Sequence, residues 1–199
     1  MAMNLILASG SEIRRQLLTN AGVPFTVQKA RVDEIMIRDS LEAEQAKPRD
    51  IADTLAEMKA LKVSEKNPGA MVLGCDQVLE LDGRVLSKPR GIDEARTQLQ
   101  SLRGQRHMLL SAAVICEDGR PIWRHIGQVR LRMRSFSDEY LEDYLTRNWP
   151  GIGDSVGGYK LEEEGIRLFS RVDGDYFNVL GLPLLELLGY LTVRGDIPG

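Results

Sequence analysis

The chain has 199 residues, 43% of them hydrophobic, enough to bury a substantial core in one domain or two joined lobes. Its net charge of −3 gives no global basic field, so phosphate chemistry must be local and a nucleic acid polymer is not an expected partner. No apolar run approaches the roughly 20 residues of a membrane span and no N-terminal stretch resembles a signal peptide, which points to a soluble cytoplasmic protein without a membrane partner.

The first informative stretch is Asn4 to Leu18. Leu5-Ile6-Leu7 has β character, Ala8-Ser9-Gly10-Ser11 is small and flexible, and Ile13, Leu17 and Leu18 form a helical stripe. A strand, a small-residue loop and a helix start make an anion site, because free backbone N–H groups lie beside two hydroxyls. Arg14 and Arg15 fall in the first helical turn, at the positive end of the dipole, where a docked anion would reverse an unfavourable sign. Read without a ligand, the same pair is two solvated arginines on an exposed face.

Phe25 to Gln28 reads as a second strand, and Ala30 to Lys47 as a charged segment carrying Glu34, a solvated loop carboxylate on its own. Pro48 opens a helix with Ile51, Leu55, Met58 and Leu61 on one face and Lys59 at the edge of that stripe, the position of a snorkelling lysine. Asn67-Pro68-Gly69 ends it. Met71 to Cys75 is a buried strand ending at Asp76-Gln77. Strand-like residues continue from Val78 to the hairpin turn at Asp82-Gly83, and the chain returns to Lys88-Pro89. An Asp closing a buried strand suits a cleft, or a turn when it stands alone.

Ile92 to Leu102 is a helix closed by Gly104. His107 to Cys116 and Pro121 to Arg134 are two long strands in a hairpin, with Arg130, Arg132 and Arg134 on its solvated face. His107 and His125 lack partners at metal or triad spacing and are structural. Cys75 and Cys116 each close an apolar run and read as reduced core thiols. Ser137 caps a helix to about Arg147, with Tyr140, Leu141, Tyr144 and Leu145 inward. A loop-like stretch to Gly158 follows, then Tyr159 to Glu162, Ile166 to Phe169 and Tyr176 to Val179. Gly181-Leu182-Pro183 opens a last helix with Leu184, Leu187, Leu188 and Leu191 inward.

Taken together and in order, LILASGSEIRRQLL, VDE at Val32–Glu34, EMKA around Lys59, GCDQVLELDGRVLSKP at Gly74–Pro89, GGYKLEEEG near Gly158 and NVLGLPL at Asn178–Leu184 resemble the Maf family of nucleoside triphosphate pyrophosphatases. The match covers nearly the whole chain. Glu12 departs from the family, whose members usually have proline there. The resemblance implies an α/β fold, similar to that of inosine triphosphatases. It implies a mixed sheet with helices on both sides of a deep nucleotide-binding cleft, in a single domain over residues 1–199 with two lobes. It also implies a homodimer and hydrolysis of a nucleoside triphosphate to monophosphate and pyrophosphate with Mg²⁺ or Mn²⁺.

On that resemblance, Asp76 is the base that orients or deprotonates water, and Glu34 joins Asp76 in holding the metal. Ser9, Ser11, Arg14, Lys59 and Lys88 bind the phosphates. Three details resemble the family's 7-methyl-GTP branch rather than its dTTP and UTP branch: the spacing of EIRR, Gln77 after Asp76, and the Lys-x-Glu of Lys160 and Glu162. A carboxylate at 162, helped by Lys160 and Gln77 in binding the base, suits the N–H groups on guanine's Watson–Crick edge; without a base beside them, Lys160 and Glu162 are a surface ion pair. Dispensing with catalysis, the alternative is a nucleotide-sensing regulator of septum formation.

Overall fold

Three consecutive buried residues make β1 (Leu5–Leu7), and the loop after it ends where the Ser11 hydroxyl caps α1 (Glu12–Asn20) by accepting from the Arg14 amide. The structure, a computed structural model, describes residues 3–199. After α1 come β2 (Thr26–Val27), α2 (Glu34–Ala43), α3 (Pro48–Ser64), β3 (Met71–Leu81), β4 (Arg84–Leu86), α4 (Ile92–Leu102), β5 (Arg106–Glu117) and β6 (Arg120–Met133). Then follow α5 (Asp138–Asn148), three short 3-10 turns, β7 (Phe169–Asp173), α6 (Tyr176–Val179) and α7 (Leu184–Arg194). The strands form one mixed sheet in the order β2-β1-β3-β5-β6-β7, with β4 on β3. β1 is parallel to β2 and β3, whereas β4 is antiparallel to β3 and β7 to β6. The α/β expectation holds.

Two elements differ from the sequence reading. The charged segment around Glu34 is not a loop: Asp33 caps it, its carboxylate accepting from the Met36 amide at 3.0 Å, and α2 follows. Asp76 does not end a strand either, because β3 continues to Leu81, where Leu79, Glu80 and Leu81 pair with β4. What ends near Asp76 is the pairing with β1, whose last ladder partners are Leu7 and Leu73.

The chain divides into two compact units. The first comprises the chain up to Gln77, Leu110–Gly127 and Tyr176–Gly199; the second comprises Val78–Leu109 and Gln128–Asp175. In the first, β1 and β3 share a core with Leu17 and Leu18 of α1 and Leu184, Leu187 and Leu191 of α7. Leu73 and Cys75 point into that core, so Gly74 and Asp76 face the other side of the strand, toward α3. In the second unit α4 buries Ala95, Leu99 and Leu102, and α5 buries Leu141, Tyr144 and Leu145. His107, Tyr159 and Phe169 form an aromatic cluster there, and Arg130, Arg132 and Arg134 are exposed. Cys75 and Cys116 are buried free thiols. Among the described residues, no helix is long and apolar enough to cross a membrane.

Candidate active site

The site in the first unit is built where α3 meets β3. The buried face of α3 is Ile51, Ala52, Leu55, Ala56, Lys59, Ala60 and Val63, while Met58 is exposed. Small residues define this face, so the helix approaches closely: a Cβ at Gly74 would lie 2.1 Å from the Ala56 carbonyl oxygen. Lys59 is therefore no snorkelling edge residue. It lies mid-face, 7% exposed, with its ammonium on β3.

Lys59 Nζ donates to Asp76 Oδ1 at 2.7 Å, lies 3.0 Å from Glu34 Oε2 and reaches the Cys75 carbonyl at 3.5 Å. Three acceptors meet the three N–H donors of the ammonium. Asp76 is buried while Glu34 is half exposed at the first turn of α2. Two carboxylates around one ammonium leave a net charge of −1. Asp76 Oδ2 is buried without a hydrogen-bond partner among the described residues, and an orphaned carboxylate oxygen is costly unless something else is held there.

Ala8 donates to the Leu73 carbonyl at 2.8 Å, carrying the loop after β1 alongside the Gly74-Cys75-Asp76 segment. Ser9 is buried, and its hydroxyl accepts from the Ser11 amide at 3.2 Å. The two arginines part company. Arg15 is exposed and pairs with Glu12, while Arg14 turns inward. Arg14 Nε donates to the Gly181 carbonyl at 2.7 Å, and its Nη1 reaches Ser9 Oγ at 3.3 Å and the Cys75 carbonyl at 3.4 Å. This places a guanidinium, two serines and the N-terminal end of α1 on one loop.

Gln77 faces away from Asp76, and its amide nitrogen donates to Ser111 Oγ at 3.0 Å and to the carbonyls of Asn178 and Val179 at 3.0 and 2.9 Å. Two carbonyl acceptors require the nitrogen to point this way, so its N–H groups are spent on the protein. Ser9, Ser11, Arg14, Glu34, Lys59, Asp76 and Gln77 all belong to the first unit; Lys88, Lys160 and Glu162 belong to the second. Lys88 and Glu162 are exposed. Lys160 forms its ion pairs with Asp154 at 2.9 Å and Glu163 at 3.9 Å rather than with Glu162. Burial opposes its charge, but the bond to Asp154 and the fields of Asp154, Glu163 and Glu162 outweigh it and raise its pKa. The Gly181 carbonyl, Gly74 and Ser111 were missed by sequence reasoning. Glycines inside quoted motifs were the available signal for the first two, and Ser111 carried none.

The carboxylates suit a hard divalent cation. Among the described residues no group of three or more His, Cys, Asp or Glu forms a protein cage. Mg²⁺ does not require one, since it binds through one or two carboxylates plus water and phosphate oxygens. The orphaned Asp76 Oδ2 and the net negative cluster fit such an ion.

Residues 4–193 match the family model described as Maf-like protein. A Roseobacter denitrificans protein named nucleoside triphosphate pyrophosphatase is 68% identical over 198 residues, covering 100% of both chains. A Ruegeria pomeroyi protein of the same name is 66% identical over 197 residues, covering 99% of each. A Brucella abortus protein named 7-methyl-GTP pyrophosphatase is 45% identical over 203 residues, covering 100% of each. The chain belongs to the Maf family.

Proposed function

We propose that this protein is a hydrolase that cleaves the α–β phosphoanhydride of nucleoside triphosphates, releasing a nucleoside monophosphate and pyrophosphate. The observation that carries the reading is the pairing of an anion-binding loop, Ser9 to Arg14, with a buried carboxylate, Asp76, on the adjacent parallel strand. Relatives 66–68% identical over essentially the full chain bear the name of that activity.

Asp76 orients an attacking water and takes its proton at its carboxylate, which Lys59 holds through Oδ1. Lys59 thus holds Asp76 in place and, with Arg14, offsets charge that spreads onto the phosphoryl oxygens. Ser9, Ser11 and the loop amides hold phosphate oxygens. Lys88 of the second unit carries the further phosphate contact implied by the family motif. Glu34 and Asp76 would hold Mg²⁺ or Mn²⁺, which when bound supplies Lewis-acid polarisation of phosphate oxygens. The reading carries a cytoplasmic location, where nucleotides are found, and a homodimer, which light scattering tests.

For the base we propose 7-methyl-GTP, recognised by Glu162 with Lys160. The 45% identical Brucella relative bears that substrate in its name, and a carboxylate suits both guanine's N–H edge and the positive charge of an N7-methylated ring. Pyrophosphate release by purified protein over UTP, dTTP, GTP and 7-methyl-GTP tests both levels. We expect 7-methyl-GTP to lead and Glu162→Gln to cut its kcat/KM at least about tenfold, equivalent to ~1.4 kcal/mol, with a smaller change on UTP. A wild-type preference for UTP or dTTP would move the chain to the other branch. No pyrophosphate from any nucleotide would leave a binding regulator.

A further inference from the structure

We propose that Gln77 and Ser111 are positioning residues for the Arg14 guanidinium, acting through the turn from Asn178 to Gly181. The inference rests on reading Arg14 as a phosphate ligand. α6 (Tyr176–Val179) is a single helical turn, and such a turn gains little from its own hydrogen bonds. It closes in a Schellman turn: Leu182 donates to the Phe177 carbonyl at 3.1 Å and Gly181 to the Asn178 carbonyl at 3.1 Å. Gly181 takes the left-handed position with φ +92°, where other residues are strained.

The turn is tied down from outside. Helix C-termini leave carbonyls without intrahelical partners, and here Gln77 Nε2 bonds those of Asn178 and Val179. Ser111, fully buried on β5, donates to the Asn178 carbonyl at 2.6 Å and accepts from Gln77 at 3.0 Å. The Asn178 side chain lies against Gly127, where a Cβ would sit 1.7 Å from its Oδ1. The last carbonyl of the turn, that of Gly181, is the oxygen that Arg14 Nε grips at 2.7 Å. A Cβ at Gly181 would lie 3.1 Å from Arg14 Nη2, so the guanidinium rests on this turn.

A misplacement on the ångström scale is enough to lose about a hundredfold in rate, so whatever fixes Gly181 fixes how Arg14 meets a phosphate. Two neighbours on β3 thus serve opposite faces: Asp76 faces Lys59, and Gln77 holds the turn that anchors Arg14. Gln77 then acts on phosphate binding, whatever the nucleobase.

A double-mutant cycle tests this. Gln77→Met keeps size and removes both N–H donors; Ser111→Ala is a second route to the same turn if the first fails to fold. Each is expected to raise KM for UTP, GTP and 7-methyl-GTP alike, and the inhibition constant of inorganic pyrophosphate, by roughly tenfold. A merely structural loss would lower the active fraction, hence apparent kcat, and leave both constants alone. In the Arg14→Ala background the same substitutions should change kcat/KM less than about threefold. Losses that add fully to a damaging Arg14→Ala, or that fall on one nucleobase only, would overturn the proposal while leaving Arg14 as a ligand. An Arg14→Ala enzyme with wild-type kinetics would overturn the reading of Arg14 itself.

Discussion

The backbone of Gly74 lies against that of Ala60: a Cβ on Gly74 would sit 2.6 Å from the Ala60 amide nitrogen. α3 meets β3 there with no side chain between them. Lys59, next to Ala60, consequently reaches Asp76, two residues past Gly74 on the same strand face. Gly74→Ala is expected to push the helix off the strand. Overpacking of this kind costs about 1–3 kcal/mol, and turnover should fall at least tenfold as the Lys59–Asp76 contact opens. Urea unfolding and pyrophosphate release on the same preparation check it. A folded Gly74→Ala enzyme with normal turnover would mean that the close approach does not serve the site.

The charge balance among Lys59, Asp76 and Glu34 makes a second prediction. Asp76→Asn leaves Lys59 an acceptor but removes the base, so turnover should drop about a hundredfold or more with nucleotide binding kept. Lys59→Met strips the cation from a buried carboxylate, which costs about 3–5 kcal/mol. The double variant Lys59→Met/Asp76→Asn removes the stranded charge and is expected to regain much of that stability and none of the activity. Chemical denaturation of the three variants decides the matter. A double variant as unstable as Lys59→Met alone would show that Lys59 contributes packing rather than charge.

Much of this site was legible in the chain. The β1–loop–α1 arrangement follows from an apolar triplet, four small residues and a helical stripe, and Asp76 stood out inside a long motif. The burial of Lys59 did not. Its helix was assigned an apolar stripe through its large side chains, Met58 among them, whereas the buried face runs through Ala52, Ala56 and Ala60. Small residues add little to a periodicity count, yet they let a helix sit on a glycine of a strand. The inward turn of Arg14 and the outward turn of Arg15 were equally unreadable. Their separation depends on the Gly181 carbonyl, 167 residues away in sequence. Long-range backbone acceptors leave no local signature.

The same carboxylates predict metal dependence. Pyrophosphatase activity should vanish in EDTA and return with Mg²⁺ or Mn²⁺. A readout free of catalysis is the thermal midpoint: ions that bind the folded state raise it by mass action. Millimolar Mg²⁺ or Mn²⁺ should therefore raise the midpoint of the wild type, and raise it less in Glu34→Gln and Asp76→Asn. Equal shifts in all three proteins would place the ion elsewhere.

His107 sets the acid limit of the second unit. It is 3% exposed, its Nε2 lies 2.8 Å from the Tyr159 hydroxyl, and its buried Nδ1 has no hydrogen-bond partner among the described residues. Burial pushes the imidazole down from its ordinary 6.5 to about 4. A base held below its unfolded value carries fewer protons folded than unfolded, so its contribution is fully present above pH 6.5 and is lost as pH falls from there through about 4. The shift is equivalent to at most ~3 kcal/mol. Glu164, held at about 2 by its bonds to Arg147 and Asn148, gives up its own contribution only as pH falls below its ordinary 4.5, so it adds to the loss only at the acid end of the His107 window. Urea midpoints measured from pH 7 to pH 4.5 should fall steadily in the wild type. In His107→Gln, whose amide keeps a polar group near Tyr159 without a titration, the protein should start less stable and lose less over that range. A variant whose midpoint falls as steeply as the wild type's would assign the acid loss to groups other than His107.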